Sequence, residues 1–300
     1  MPDRCRVLAP AKINLGLTVR FRRDDGFHEL ETVMVALDLY DELEFERTRT
    51  GGIRLDLVET DRDEQDRSAF PLDETNLIVR AIRALEHEAG VVANLHIKIK
   101  KRIPIAAGLG GGSSNAAAAL AALVKLYELD IGMPRLSRIA GGIGSDVPFF
   151  LNGPAARATG RGEIIQPISL YSDWWVMLIA PPIHLSTADV YRQLNLTSHP
   201  TKNSFSLCGD EKGFYAGLQK CRNDLEEIAT GRYPELSEYM RHLRKAGAEG
   251  TFVTGSGPTV VGVFRKHPDN DTVRNLQTRL EQTRVLIAKP VRTVTALVVQ

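Results

Sequence analysis

Apolar and polar residues alternate over 11–19, which predicts a strand with Ile13, Leu15 and Leu17 on one face and Lys12 and Asn14 on the other. A polar turn, RRDDG at 22–26, follows it. Residues 33–39 and 41–46 read as strands broken near Tyr40 and Asp41, and 53–58 alternates again after Gly51 and Gly52. The charged run 59–69 predicts a solvated loop. Apolar residues recur at helical spacing over 77–89, and LHIKIKK at 95–101 predicts a strand that feeds a glycine-rich loop. An alanine-rich helix is expected over 115–126. A short one is expected over 133–140, started by Pro134 and ended by the glycines at 141–144.

The second half mixes both periods. Gly160 and Gly162 mark a hairpin, and the apolar run 174–180 predicts a buried strand stopped by Pro181 and Pro182. The stretch 198–213 has no period and reads as a loop. Helices are expected near 223–230, 235–246 and 270–283, a strand–glycine turn–strand unit over 251–264, and a final strand over 293–299. These elements predict an α+β chain of two lobes meeting at a cleft, with domains at 1–162 and 163–300.

Composition excludes more than it selects. A chain of 300 residues with 43% hydrophobic content is a soluble globular protein of one or two domains. A formal net charge of +1 argues against nucleic acid or an anionic membrane as the main partner. The first residues carry no signal-peptide pattern, and the longest apolar stretch, 174–182, is too short to cross a bilayer. The cysteines Cys5, Cys208 and Cys221 form no CxxC pair, which fits a reduced cytoplasm and no structural zinc.

The densest chemistry lies at 104–117, PIAAGLGGGSSNAA. Pro104 opens the run; Gly108, Leu109, Gly110, Gly111 and Gly112 lead to Ser113 and Ser114, and the alanine helix follows. Glycines let a backbone approach a ligand, serine caps a helix, and first-turn amides with the helix dipole favour a phosphate chain. The Walker A pattern fails because Ser113 follows Gly112 without a lysine, and the dinucleotide pattern lacks its last glycine. A capped flexible turn is the competing reading. At Gly111 a β-branched side chain would strain a positive φ and block the phosphates.

Other segments carry chemistry of their own. Lys12 and Asn14 suit either a solvated strand face or a grip on an acceptor hydroxyl and a phosphoryl oxygen. Asp146, in GSDVPFF at 144–150, sits in a proline-fixed turn before a predicted apolar strand, either satisfying its own turn or acting as a base. TGSGPT at 254–259 is a hairpin turn that can also brace another backbone. His28 beside Phe27 can read a base edge while the ring stacks.

In this order, PAKINLGLTV, PIAAGLGGGSSNAAA and VTGSGPTVV resemble the three motifs of the GHMP kinase superfamily over residues 10–262. Within it, RRDDGFHELETVM, the triple glycine, TNLIVRA at 75–81 and GSDVPFFL are most similar to the branch acting on cytidine-diphosphate-linked methylerythritol in non-mevalonate isoprenoid synthesis. The resemblance implies a two-lobed fold with both sites in the cleft, ATP as co-substrate with Mg²⁺, and phosphorylation of the acceptor's 2-hydroxyl. It implies Asp146 as catalytic base with Lys12 as partner, and Asn14 as a nearby polar contact. Phe27, His28 and Tyr191 would enclose the cytosine, with Phe27 and Tyr191 stacking on its two faces. Asn76, Lys101 and residues 104–114 would lie on the nucleotide side. Two positions depart from the pattern: Phe27, where tyrosine is frequent, and Ser145, where alanine is. A homoserine- or mevalonate-type kinase and a non-catalytic nucleotide sensor of the same fold are the alternative readings.

Overall fold

A computed structural model describes residues 3–60, 68–194, 207, 209–280, 283–292 and 296–300. In the first of two sheets, β1 (Arg4–Arg22) and β2 (His28–Arg47) form a long antiparallel hairpin around the polar turn. β2 runs unbroken through Tyr40 and Asp41, where a break was expected. The irregularity is instead a shift of register, with Pro10 opposite Tyr40 and Ala11 opposite Leu37. The shift exchanges the faces of β1: Val7 and Ala9 pack under helices, while Ala11, Ile13 and Leu15 join a core shared with the second sheet. Lys12 and Asn14 thereby turn to the helix side. Beyond a second shift, Leu17 leaves the Ile13 and Leu15 face and packs with Val19 in a third cluster.

The second half of β2 pairs with β4 (Leu95–Lys101), which carries β3 (Ile53–Thr60) in parallel. The first half of β2 pairs with β5 (Ala155–Gly160), whose hairpin partner is β6 (Ile164–Pro167). Covering this sheet are α1 (Leu77–Ala89), α2 (Gly111–Leu126), α3 (Met133–Ile143) and α4 (Val147–Asn152). α2 is buried on nearly all sides, and its alanines allow close packing on β1 and α1.

Three boundaries among the helices on the first sheet differ from expectation; on the second, helices at Thr187–Gln193 and from Glu211 were not expected, and the one expected near 223 starts at Glu226. α2 starts at Gly111, not Asn115, so Gly110 is its N-cap and the serines lie inside the first turn. α3 continues through Gly141 and Gly142 because Leu136, Ala140 and Ile143 keep the buried spacing, which outweighs about 1 kcal/mol per helical glycine. A helix, not a strand, follows Asp146; Pro148 is tolerated in its first turn, where no N–H is needed.

The second sheet has the order β10-β7-β9-β8, all antiparallel, from β7 (Trp175–Ala180), β8 (Gly250–Val253), β9 (Val260–Phe264) and β10 (Arg284–Ala288). With it pack α5 (Thr187–Gln193), α6 (Glu211–Leu218), α7 (Glu226–Arg232), α8 (Glu235–Lys245) and α9 (Asn270–Arg279). A last short strand, β11 (Val298–Val299), returns to β1. By sheet membership the lobes change between β6 and β7, a few residues after the boundary at 162/163, which falls in the β5–β6 turn. Parts of the expected loops 59–69 and 198–213, residues 281–282 of the expected last helix, residues 293–295 of the final strand, and Cys208 lie outside the described residues. Among the described residues no helix is long and apolar enough to cross a membrane.

Candidate active site

The glycine loop joins β4 to α2, and its glycines do different work. Gly108 and Gly110 have φ of +77° and +71°, the left-handed region that favours glycine. A Cβ at Gly108 would also lie 2.7 Å from the Gly257 carbonyl oxygen, and one at Gly110 would lie 2.8 Å from Lys12 Cγ. Gly111 is helical, so the expected strain at positive φ is absent. A side chain there would instead strike Ile103 Cγ2 and Lys101 Nζ, each 3.1 Å away. Gly112 has room, with Leu77 Cδ1 at 3.5 Å. The first intrahelical bond is donated by the Ser114 N–H to Gly110 O at 2.9 Å, so the amides of Gly111, Gly112 and Ser113 precede it. They form the positive end of a buried helix dipole.

Lys12 is the centre of the site. It is only 4% exposed, so the solvated strand face is not what forms. Its ammonium donates to Asn14 Oδ1 at 2.8 Å and to Gly108 O at 3.1 Å, and lies 3.3 Å from Asp146 Oδ2. Asp146 is brought there by the N-terminus of α4, against the β5–β6 turn at Gly162. Asn14 donates its side-chain amide to Thr32 Oγ1 at 2.9 Å, and its backbone N–H to Thr254 Oγ1 at 2.8 Å. Gly255 crosses directly over this pair: a Cβ there would sit 3.2 Å from Asn14 Oδ1. The third glycine turn is thus both a hairpin and a brace. It joins β8 to β9, and its Gly257 closes on Gly108.

Two cavities meet at the loop. The larger, about 980 Å³, holds Lys12, Asn14, Asp146, Phe27, His28 and Tyr191. The smaller, about 490 Å³, is walled by Asn76, Lys101 and residues 104–113. Gly108, Gly110, Ser113 and Thr187 border both. In the larger cavity His28 and Tyr191 lie together, ring centroids 5.2 Å apart, while Phe27 is half-exposed beneath the Arg161 guanidinium at 4.6 Å. Phe27 and Tyr191 thus border one cavity but take different ring partners. Burial, aided by Arg22, lowers the His28 pKa below its ordinary value, which leaves a neutral imidazole at pH 7. Burial and the negative charge of Asp146 raise the Tyr191 pKa, so its phenol stays protonated.

Two of the expected nucleotide residues take structural partners and a third is buried without one. Asn76 caps α1, accepting from Ile78 N–H at 2.9 Å and donating to Pro71 O at 2.6 Å. Lys101 is paired with the buried Asp41. Ser114 is fully buried and borders neither cavity, and its hydroxyl has no protein partner. Sequence reading passed over Thr32, Arg161, Thr187 and Ser256, which border the larger cavity. Thr187 and Ser256 share a hydrogen bond of 2.8 Å between α5 and the third glycine turn. Single polar residues in separate segments give no local signal of this meeting. Among the described residues, no group of three or more His, Cys, Asp or Glu forms a metal cluster.

The motifs that converge here are shared with known proteins. Residues 76–154 match the GHMP kinases N terminal domain family, and 205–283 the GHMP kinases C terminal family. The 4-diphosphocytidyl-2-C-methyl-D-erythritol kinase of Shouchella clausii (strain KSM-K16) is 40% identical over 90% of this chain and 89% of its own length. A crystal structure of 4-(cytidine 5'-diphospho)-2C-methyl-D-erythritol kinase superposes with a TM-score of 0.74 at 34% identity, covering 95% of this chain and 98% of that one. The homoserine kinase of Cytophaga hutchinsonii gives the same TM-score, 0.74, at 17% identity over 100% of this chain and 98% of its own, a likeness of fold alone.

Proposed function

The chain belongs to the GHMP kinase family, and from that premise we propose that it transfers the γ-phosphoryl group of ATP to the 2-hydroxyl of 4-diphosphocytidyl-2-C-methyl-D-erythritol, in isoprenoid precursor synthesis. The observation that carries this reading is the Lys12 ammonium. It touches the glycine loop, Asn14 and Asp146 where the two cavities meet.

Phosphoryl transfer needs positioning and charge stabilisation more than covalent help from the protein. The amides of Gly111, Gly112 and Ser113, at the positive end of α2, hold the β- and γ-phosphates in the smaller cavity. Asp146 orients the acceptor hydroxyl from the other side and takes its proton. Lys12 faces the negative charge that builds on the transferring group. Mg²⁺ arriving with the nucleotide draws mostly on phosphate oxygens and water. The hydroxyls of Ser113 and Thr187 border both cavities and the Asp146 carboxylate the larger one; these would complete its shell, a role the buried Ser114 hydroxyl does not fit.

The larger cavity suits a nucleotide-sized acceptor. At about 980 Å³, with Phe27, His28 and Tyr191 along its wall, it would be left mostly unfilled by homoserine or mevalonate. A cytoplasmic setting fits the free, buried thiols of Cys5 and Cys221. The test is ADP release with each of the three acceptors. ATP-dependent turnover with the cytidylyl compound, far above that with homoserine or mevalonate, supports the proposal; preference for either of the others rejects it. ATP binding without turnover on any acceptor would make the protein a sensor.

A further inference from the structure

Asp41 borders neither cavity, and no step above uses it. Its carboxylate is fully buried beside the register shift of β2, yet it accepts from four donors. Oδ1 takes the backbone N–H of Arg102 at 2.9 Å and of Ile103 at 3.0 Å. Oδ2 takes Asn115 Nδ2 at 2.9 Å and the Lys101 ammonium. Arg102 and Ile103 immediately precede Pro104, where the glycine loop opens. Asn115 immediately follows Ser114, where the loop has become helix. One side chain therefore grips both ends of 104–114.

The grip reaches the amides through Gly111. Lys101 and Ile103 form the floor beneath it, and a methyl at Gly111 would meet both at 3.1 Å. Any rise or tilt of Ile103 moves the first turn of α2. A buried ion pair is often no more stabilising than apolar packing of the same volume. What it supplies is direction, because each charge-assisted hydrogen bond fixes one donor. The Asp41–Lys101 pair also adds no net charge below the helix, so the dipole stays available to an anion above it.

We propose that Asp41, with Lys101 and Asn115, is a positioning residue for the nucleotide, fixing the span of loop 104–114 and the aim of the Gly111, Gly112 and Ser113 amides at the phosphates. The inference rests on reading 104–114 as the phosphate loop. Lys101, which also borders the smaller cavity, then holds Asp41 in place from that side.

Asp41→Asn keeps the shape but places an amide donor against existing donors. Asn115→Ala removes the tie at the loop exit and leaves Asp41 Oδ2 paired with Lys101; because Asn115 also borders the smaller cavity, its loss is read beside that of Asp41→Asn, whose side chain does not. Binding is measured by calorimetry with a non-hydrolysable ATP analogue and separately with CDP, beside thermal unfolding. Losing a hydrogen bond to a charged group predicts about tenfold or greater weakening of the ATP analogue in Asp41→Asn and a smaller loss in Asn115→Ala. CDP affinity should stay within about twofold of wild type in both, and in steady state KM for ATP should rise while KM for the acceptor holds. Unchanged ATP-analogue affinity in either folded variant, or equal weakening of ATP analogue and CDP, overturns the proposal. If Asp41→Asn does not fold, Asn115→Ala decides by the same criteria. If the wild-type protein binds the ATP analogue but not CDP, the acceptor assignment fails, and the ATP-analogue arm alone still decides the role of Asp41.

Discussion

Asp146 and Lys12 sit 134 positions apart in sequence and 3.3 Å apart in the fold. Asp146→Asn should keep the fold and the nucleotide affinity while turnover falls about 10²–10⁴-fold, the usual loss for a general base. Steady-state kinetics beside calorimetry with an ATP analogue checks it, and wild-type turnover in a folded variant would remove Asp146 from the mechanism. The local settings of Lys12 and Asp146, a lysine two positions from an asparagine on a strand and an aspartate between glycine and proline, left solvated or turn roles open, and the family resemblance singled them out as base and partner. Asp41 was not singled out, because an acid in a charged, alternating stretch looks like a solvent-facing strand residue. Only the register shift at Pro10 and the end of β4 give it buried donors.

At the scale of elements, the glycine loop before a helix was readable in the sequence, but the residue that starts the helix was not. Composition locates the loop, whereas Gly110 as N-cap depends on its left-handed conformation and on packing against Lys12 and Phe150. The glycines can be ranked by thermal unfolding. Gly108→Ala forces a Cβ against the Gly257 carbonyl at positive φ, and it should cost roughly 1–3 kcal/mol, as strained or overpacked sites do. Gly112→Ala, in a helix with space beside it, should leave stability unchanged or raise it by up to about 1 kcal/mol. Equal effects of the two changes would mean that the loop is not wedged against the third glycine turn. Asn76→Ala, which removes the cap of α1, should cost about 1 kcal/mol in thermal unfolding.

At the scale of the molecule, the two lobes and the cleft followed from the alternation of periods, while strand order did not. β2 pairs with β1 along nearly its whole length and with β4 and β5 on separate stretches, and β11 returns from the far end of the chain; neither leaves a local trace. In the proposed reading the acceptor is recognised by the whole cleft, because β2 supplies His28 and α5 supplies Tyr191. Stacking tolerates every base, so selectivity must come from polar groups such as the neutral His28 ring. CDP should therefore compete with the acceptor, and UDP should bind more weakly by roughly 1–3 kcal/mol, the cost of an acceptor facing an acceptor. His28→Ala should narrow that gap, and Phe27→Ala should weaken both nucleotides alike. Inhibition constants for the two nucleotides on three proteins check this, and equal inhibition by CDP and UDP in the wild type would contradict the cytidylyl pocket.

The central claim is that the cleft joins the γ-phosphate of ATP to one hydroxyl of a cytidylyl-linked acceptor. Phosphorus NMR of the reaction mixture tests it most directly. The account predicts a new phosphomonoester signal on the 2-position of 4-diphosphocytidyl-2-C-methyl-D-erythritol, with the diphosphate bridge intact, ADP formed in equal amount, and the signal growing about 10²–10⁴-fold more slowly with Asp146→Asn. A phosphate on another hydroxyl, a cleaved diphosphate, or ADP without phosphorylated acceptor would contradict it.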